Sequence, residues 1–425
     1  MPNDAEELSK LIDAREDELV RLTQDLVRIP TVNPPGEAYT DCAVYIGDRL
    51  KKHGFDVKYV RGADAPGDSD RYPRTNVIAR IEGGRSGFCV HFNGHIDVVE
   101  AGAGWSVNPF GGQVEDRKLY GRGACDMKGG LAAAIIAVEA ILASSIDFPG
   151  AIEISGTVDE ESGGYGGVGY LAREGYFSKP RVDHVIIPEP LNVDRVCIGH
   201  RGAWWAQVET HGRVAHGSMP FLGDCAIRHM GAFLHELETR LLPHLAAKRT
   251  RMPVAPEEAR HSTLNIGSIH GGLDETREGM PSSVVADRCR LMLERRYLIE
   301  ESPHEVRQEI CRILERLKTD RPGFSYNLND IMSFEPTLTD KNAAVVRVVG
   351  EEIERVLGRP AQQVVSPGTY DQKHIMRLGH LKGCIAYGPG ILELAHQADE
   401  YVAIDDMLNA AKVMAMATLR LLRQP

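Results

Sequence analysis

Four short segments of this 425-residue chain place carboxylates beside a histidine, glycines or prolines. They read GHID at residues 94–97, GACDMKGG at 123–130, TVDEESGG at 157–164 and IPEP at 187–190. Each lies at the end of a predicted strand, and the carboxyl ends of parallel strands meet at one rim of a sheet. So much negative charge in one cleft is unfavourable on its own, and a bound divalent cation is the simplest counter-charge.

Each segment also has an ordinary structural explanation when it is taken alone. His95 and Asp97 could form a hydrogen-bonded pair, and Asp126 could cap the helix that follows it. Glu189 could mark an exposed corner between two prolines, and two adjacent glutamates are common in solvated loops. What favours a shared function is that all four segments occur at successive strand ends, which structural needs alone do not require.

The ordered set of motifs resembles a family of metal-dependent amidohydrolases and exopeptidases. That family includes acetylornithine deacetylase, succinyl-diaminopimelate desuccinylase, aminoacylase and carboxypeptidase G. Further matching segments are GRVAHGSMP at residues 212–220, GPG at 388–390 and AHQADE at 395–400. The resemblance therefore extends over nearly the whole chain, and the order of the motifs is more specific than any one of them.

The resemblance implies a pair of metal sites that share one ligand. His95, Asp126 and Glu189 would hold one ion, and Asp126, Glu161 and His396 would hold the other. Mixed nitrogen and oxygen ligands of this kind suit zinc, with manganese or cobalt as alternatives.

The resemblance also implies catalytic roles for residues that do not bind metal. Glu160 would act as general base toward a metal-held water, and Asp97 would fix the tautomer of His95. His216 would bind the oxyanion in the active site of a neighbouring subunit, and Asn265 is a similar candidate. The expected assembly is therefore a homodimer formed through an inserted domain that also serves as a hinged lid.

The segment GTYDQK at residues 368–373 departs from the family pattern GTSDAR, in which the arginine clamps a substrate carboxylate. Lys373 supplies a charge but not the planar fork of an arginine. Tyr370 places an aromatic ring where a small hydroxyl is usual. Together with Gly368, Arg201 and Asn265, these two residues are the predicted substrate-binding set.

Several functions are compatible with these residues. The first is hydrolysis of the amide bond of an N-acyl amino acid or of a small peptide-like carboxylate substrate. A second is hydrolytic deamination of an aromatic amine, as in a 5-nitroanthranilate-type aminohydrolase, which Tyr370, the Trp204–Trp205 pair and the missing arginine keep open.

A third reading comes from another class. The segment GYGGVG at residues 164–169 could belong to a dinucleotide-binding oxidoreductase. It directly follows three carboxylates, which would repel a pyrophosphate, so these glycines are better explained as shaping a turn. A binding protein without catalytic activity is the least supported reading, because all the expected catalytic groups are present.

The hydrophobic pattern predicts an α/β fold with two domains. Strands alternating with helices indicate a mostly parallel sheet with helices on both faces, formed by residues 1–196 and 334–425. A smaller α+β lid and dimerisation domain is expected at residues 197–333. Alternation along the first strand of this insert predicts that one indole of the Trp204–Trp205 pair is buried.

Composition excludes several classes of protein. The net charge of −11 and pI near 5.8, with no clustered basic face, argue against a nucleic-acid partner. The eight cysteines are scattered singly, which is typical of a reducing compartment. The acidic N-terminus does not resemble a secretion signal, and no apolar run reaches the ~20 residues that span a bilayer. We therefore expect a cytoplasmic enzyme without membrane contact that acts on a small carboxylate.

Overall fold

A computed structural model describes residues 2–272 and 283–424. The chain forms two compact units, the first from residues 1–199, 338–364 and 370–425 and the second from residues 200–337 and 365–369. The second unit thus includes a short segment, 365–369, that the hydrophobic pattern does not group with the insert expected at 197–333.

The described chain up to residue 200 begins with three helices and five strands, after which helices and strands alternate as far as residue 187. In chain order they are α1 (Pro2–Asp13), α2 (Glu16–Arg28), α3 (Tyr39–Lys52), β1 (Asp56–Arg61), β2 (Thr75–Glu82), β3 (Cys89–His95), β4 (Gln113–Glu115), β5 (Lys118–Tyr120), α4 (Gly129–Ala143), β6 (Ala151–Thr157), α5 (Val168–Arg173), β7 (His184–Ile187) and β8 (Arg195–His200).

The remaining elements divide between the second unit and the return to the first. Those of the second unit are β9 (Gly202–His211), α6 (Ala226–Glu236), α7 (Leu242–Ala247), β10 (Thr263–Gly271), β11 (Arg288–Tyr297), α8 (Pro303–Asp320) and β12 (Ser325–Phe334). After these come β13 (Thr337–Leu338), α9 (Ala344–Leu357), β14 (Gln362–Ser366), α10 (Gln372–Arg377), β15 (Cys384–Ala386), β16 (Tyr401–Ala403) and α11 (Ile404–Leu422).

The first unit is built on a nine-stranded sheet in the order β1-β2-β6-β3-β7-β15-β8-β13, with β14 paired to β8. The central strands β6, β3, β7 and β15 run parallel to their neighbours in this group, which confirms the α/β prediction. The sheet as a whole is mixed rather than mostly parallel, because β2 pairs antiparallel with both β1 and β6, and β8 pairs antiparallel with β15. Parallel neighbours need a long crossover, and α4 supplies the one between β3 and β6.

Helix α4 packs against the sheet with no polar face. Its sequence, GGLAAAIIAVEAILA, is buried from Gly129 to Ile141, as expected for a helix that is apolar on every side. A Cβ atom on Gly130 would lie 1.9 Å from the carbonyl oxygen of Pro188. Glycine at this position therefore lets the start of α4 approach the segment that follows β7. In the described ranges no helix is long and apolar enough to cross a membrane.

The second unit carries a four-stranded antiparallel sheet in the order β10-β11-β9-β12. Trp204 is 4% exposed within an apolar cluster that includes Phe233 and Leu293, and its indole N–H donates to Asp330 at 2.8 Å. Trp205 lies half-buried beneath the guanidinium of Arg296, 4.6 Å from the ring centre. The prediction that one indole is buried is confirmed.

Candidate metal centre and catalytic turn

The expected metal ligands lie together in the first unit. His95 ends β3, Asp126 precedes α4, Glu161 lies in a 3₁₀ turn after β6, and Glu189 follows β7. Because β6, β3 and β7 are parallel neighbours, His95, Glu161 and Glu189 share one rim of the sheet. Asp126 reaches the same rim from the segment before α4. The more distant His396 joins them from the loop between β15 and β16.

The ligand atoms form two groups around one carboxylate. His95, Asp126 and Glu189 each offer an atom within 4.8 Å of the others, and Asp126, Glu161 and His396 do the same. His95 Nε2 lies 3.0 Å from Asp126 Oδ1, whereas His396 Nε2 lies 3.5 Å from Asp126 Oδ2 and 3.1 Å from Glu161 Oε1. One oxygen of Asp126 thus faces each imidazole, so Asp126 could contribute one oxygen to each ligand group.

Burial and neighbouring charges shift the pKa values of the side chains in this cluster. Burial and the charge of Asp126 raise the pKa of Glu189 well above its usual value, and burial is the main cause that raises the pKa of Glu161 to about 7. Hydrogen bonds to Asp126 and Glu161 raise the pKa of His396 to about 10. Burial opposes ionisation of Asp126, but hydrogen bonds to His396 and His95 keep its pKa below the usual value.

These residues fit a pair of divalent cations. The two groups supply imidazole nitrogens and carboxylate oxygens, the ligands of catalytic zinc sites. A divalent cation in each group could replace the protons that the clustered carboxylates and imidazoles would otherwise hold, as expected when metal binding is linked to ligand deprotonation.

Asp97 lies beside His95, as the prediction requires, and it also contacts the turn that carries the two glutamates. The Nδ1 atom of His95 lies 3.0 Å from the main-chain oxygen of Asp97 and 3.6 Å from its carboxylate. The carboxylate also accepts hydrogen bonds from the main-chain N–H groups of Glu160 and Glu161, both at 3.1 Å, and from Asn33 at 2.8 Å. Asp97 therefore holds the turn that carries the two glutamates, while its main chain orients His95.

Glu400 fixes the main chain around Asp126, a role that the sequence analysis did not identify. Its Oε1 atom accepts hydrogen bonds from the N–H groups of Gly123, Cys125 and Asp126 at 3.0, 2.9 and 3.1 Å. Its other oxygen pairs with the buried guanidinium of Arg122. The position of Glu400, four residues after His396, was the only available sequence signal.

Lys128 anchors the other end of this segment. The ammonium is fully buried and donates to the main-chain oxygens of Leu26 and Ile29 at 2.9 and 2.8 Å. Burial lowers the pKa of Lys128 to about 8. A cation at the C-terminal end of α2 satisfies carbonyl groups that lack partners within the helix.

Glu160 lies next to Glu161 at the rim of the metal cluster. Its Oε1 atom accepts a hydrogen bond from Lys373 Nζ at 2.7 Å. Lys373 thus contacts the expected general base, rather than standing apart from it as a substrate clamp would.

Tyr370 is also placed differently from the prediction. It is 4% exposed, its hydroxyl donates to Gln372 Oε1 at 3.0 Å, and it lies 3.6 Å from the sulfur of Cys197. The expected contact of Tyr370 with substrate is not supported, because the ring is buried in the first unit and its hydroxyl is hydrogen-bonded there.

The other predicted substrate residues lie in the second unit. Arg201 donates to the main-chain oxygens of Pro367, Ala259 and His261 at 2.9 to 3.0 Å. The N–H of Gly368 donates to the Ser366 hydroxyl at 3.1 Å. The bonds at Pro367 and Gly368 stabilise the main chain of residues 365–369, and the bonds to Ala259 and His261 tie Arg201 to a second loop. Arg201 therefore has a structural role in place of the predicted substrate contact.

His216 and Asn265 are exposed residues of the second unit. The Nδ1 atom of His216 accepts a hydrogen bond from the main-chain N–H of Ser218 at 3.1 Å, and the Ser218 hydroxyl lies 2.7 Å away. A main-chain N–H can only donate, so the neutral imidazole carries its proton on Nε2. His216 therefore presents an N–H donor, as an oxyanion-binding group must.

Packing explains the glycines of residues 164–169. A Cβ atom on Gly167 would lie 2.0 Å from the Val158 carbonyl oxygen, and one on Gly166 would lie 2.5 Å from the Arg74 and Asp159 side chains. Gly164 has a φ of +75°, which few other residues adopt. These constraints shape the turn behind Glu160, and they favour this explanation over a dinucleotide site.

Comparisons with known proteins identify a family and a shared fold. The family model described as peptidase family M20/M25/M40 matches residues 91–420. A succinyl-diaminopimelate desuccinylase of Methylobacterium radiotolerans is 31% identical over 399 residues, which are 92% of this chain and 93% of the relative. An acetylornithine deacetylase of Myxococcus xanthus is 30% identical over 375 residues, 88% of this chain and 90% of the relative. The solved structure of the dipeptidase Dug1p from Saccharomyces cerevisiae shares the fold, with a TM-score of 0.83, 18% identity and complete coverage of both chains.

Proposed function

Because the chain belongs to peptidase family M20/M25/M40, whose members hydrolyse C–N bonds, we propose that it hydrolyses the amide of an N-acyl amino acid or of a small peptide-like carboxylate. The catalytic apparatus would be two divalent ions, with zinc as the first candidate, and Glu160 as general base. The observation that carries the proposal is the pair of ligand groups that share Asp126, with Glu160 at their rim. The relatives named desuccinylase and deacetylase support the class of substrate.

Residues of the chain would carry out proton transfer and oxyanion binding. When bound, the ions would lower the pKa of a water molecule and polarise the amide carbonyl. Lys373 occupies Glu160 Oε1, so Oε2 is the oxygen assigned to accept a proton from the attacking water and to return it to the leaving nitrogen. The Nε2–H of His216 would donate to the oxyanion that forms at the carbonyl oxygen.

We further propose that this oxyanion donor comes from a second copy of the chain. In the described part of the second unit, β10 pairs only with β11 and leaves an open sheet edge. Ile269 on β10 and Ile227 on α6 are 47% and 45% exposed. An open edge beside exposed apolar side chains suits pairing with an identical strand.

Mixing two inactive variants tests the shared site. A His216→Ala subunit retains Glu160, and a Glu160→Gln subunit retains His216, so a hybrid dimer would contain one complete site. We expect each variant alone to turn over far more slowly than the unmodified enzyme, and the mixture, after subunit exchange, to regain turnover. Sedimentation should give a dimer mass. A monomer, or a mixture without activity, would refute the dimer proposal.

A substrate panel with metal controls tests the function itself. We expect hydrolysis of one or more of N-acetyl-L-ornithine, N-succinyl-diaminopimelate, other N-acyl amino acids and dipeptides, with activity lost to a chelator and restored by zinc, manganese or cobalt. Elemental analysis should find up to two ions per chain. Ammonia release from 5-nitroanthranilate, with no cleavage of any amide, would instead establish the aromatic aminohydrolase. That alternative is weaker than the sequence suggests, because both Tyr370 and Trp204 are buried.

A further inference from the structure

The short helix α10 contacts the turn that carries the expected general base. Lys373 Nζ donates to Glu160 Oε1 at 2.7 Å, and the next residue, His374, places its Nε2 atom 2.7 Å from the carbonyl oxygen of Gly163. Burial and the charge of Lys373 lower the pKa of His374 to about 3, so its imidazole is neutral and donates through Nε2. Two consecutive side chains of α10 therefore bind the two ends of the turn formed by residues 160–163.

Helix α10 is itself held firmly in the first unit. The amide nitrogen of Gln372 lies 2.7 Å from the main-chain oxygen of Cys384 on β15 and 3.0 Å from the Thr339 hydroxyl. Gln372 also accepts the hydrogen bond from Tyr370. Since Gln372 directly precedes Lys373, these contacts fix the main chain from which the ammonium extends. A rigid support is what a residue needs if it is to fix another side chain.

The surroundings of Lys373 are anionic and closed to solvent. The side chain of Lys373 is 3% exposed and that of Glu160 is 11% exposed. Burial opposes the charge of Lys373, but the carboxylates of Glu160 and Asp371 outweigh it and raise its pKa. Asn93 donates to Asp371 at 3.1 Å, which also keeps this second acidic group in place.

This charge pattern is unsuitable for a clamp that binds carboxylates. A substrate carboxylate at Lys373 would be a third acidic group beside one buried ammonium, after Glu160 and Asp371. Repulsion between carboxylates that share one buried cation is costly. An arginine clamp, by contrast, offers a fork of N–H groups to its ligand. Lys373 therefore does not replace the family arginine in function.

We infer that Lys373 is a positioning residue that orients Glu160, and that the substrate is recognised without a carboxylate contact at Lys373. The ion pair fixes one oxygen of Glu160, and the Lys373–His374 pair ties the turn of residues 160–163 to α10. The inference rests on the proposed function for its kinetic test, although its structural test does not.

Lys373→Met separates positioning from clamping. We use the best N-acyl amino acid of the panel and the same compound with its carboxylate converted to a carboxamide. Positioning predicts that kcat falls about 10²-fold, by the same factor for both compounds, with KM changed less than about threefold. Lys412→Met is the matched control, because Lys412 forms an ion pair with Asp13 at 2.6 Å elsewhere in the first unit, and its kinetics should equal those of the unmodified enzyme. A rise in KM confined to the carboxylate compound would overturn the inference.

A double variant shows whether Lys373 acts through Glu160. Glu160→Gln combined with Lys373→Met should turn over at the rate of Glu160→Gln alone, because the base that Lys373 orients is already lost. A further loss by the full factor of the single Lys373→Met variant would mean that Lys373 acts independently, and would contradict the inference.

Crystal structures of the zinc-loaded enzyme and of zinc-loaded Lys373→Met provide the readout that does not depend on turnover. We expect the 2.7 Å pair in the former and a displaced or disordered Glu160 carboxylate in the latter. A Glu160 carboxylate that stays in place in the variant would refute positioning, whether or not any panel compound is hydrolysed. A failure to hydrolyse every panel compound would contradict only the proposed function. If the variant does not fold, a crystal structure of the unmodified enzyme with the amino acid product distinguishes the two roles. A product carboxylate bound to Lys373 would establish a clamp and refute positioning.

Discussion

Replacing Glu160 with glutamine is expected to lower kcat by about 10²- to 10⁴-fold while the protein keeps its metal content. The amide side chain still offers an oxygen to Lys373, so the turn after β6 should keep its shape. It has no basic oxygen, however, and cannot remove a proton from the attacking water. Steady-state kinetics on the best panel substrate, together with elemental analysis of the same preparation, measures both expectations.

The matched control for this variant is Glu174→Gln, which makes the same chemical change at an exposed glutamate just after α5. Its kinetics and metal content should equal those of the unmodified enzyme. Full activity in Glu160→Gln would refute the general-base assignment. Loss of metal together with activity would mean instead that Glu160 contributes to the metal sites.

Asp126→Asn is expected to cause the largest loss, because Asp126 belongs to both ligand groups. An amide offers one carbonyl oxygen and no negative charge, so it cannot bridge two cations as a carboxylate does. We expect kcat to fall on the order of 10³-fold or more, and metal content to fall under conditions in which the unmodified enzyme is saturated. A calorimetric titration of the metal-free protein with zinc measures the zinc affinity directly.

Two further variants serve as a control without effect and as a case of intermediate effect. Asp48→Asn, an exposed position on α3, should change neither affinity nor rate. Glu400→Gln should give an intermediate effect, because it weakens the hydrogen bonds that hold the main chain of Gly123, Cys125 and Asp126 without removing a ligand. A loss of metal affinity of about 10- to 100-fold is typical for such supporting residues. Unchanged metal binding in Asp126→Asn would refute its role as the shared ligand.

The expected ligands could be predicted from sequence because the helix and strand periods indicate the order of elements, and that order indicates which strand ends lie together. Strands that alternate with helices indicate parallel neighbours, and parallel neighbours align their carboxyl ends. Residues that follow β3, β6 and β7 therefore had to share one rim, whatever the details of packing. His396 could not be placed by this argument, since it lies in a loop and joined the group only through the family resemblance.

The hydrogen bonds that support the ligands could not be predicted from sequence in the same way. Glu400 binds the main chain of residues 123–126, and Lys128 binds the end of α2, across long stretches of sequence. Such contacts depend on where a folded loop points a side chain, and no periodic pattern records that direction. Asp97 illustrates the limit within a single motif, because its carboxylate holds the turn of residues 160–161 while its main-chain oxygen, rather than the carboxylate, is the nearer partner of His95.

By itself, the sequence of this protein determined the α/β class and the family, and it predicted the set of metal ligands and the general base Glu160. These follow from residue identity and from the periods of helix and strand, which are local properties of the chain. Only the tertiary structure decided that Lys373 pairs with Glu160, that Tyr370 is buried and that Arg201 holds main-chain carbonyls. The reason is that a long or aromatic side chain can reach several partners from one main-chain position, and packing and charge balance in the folded protein select among them.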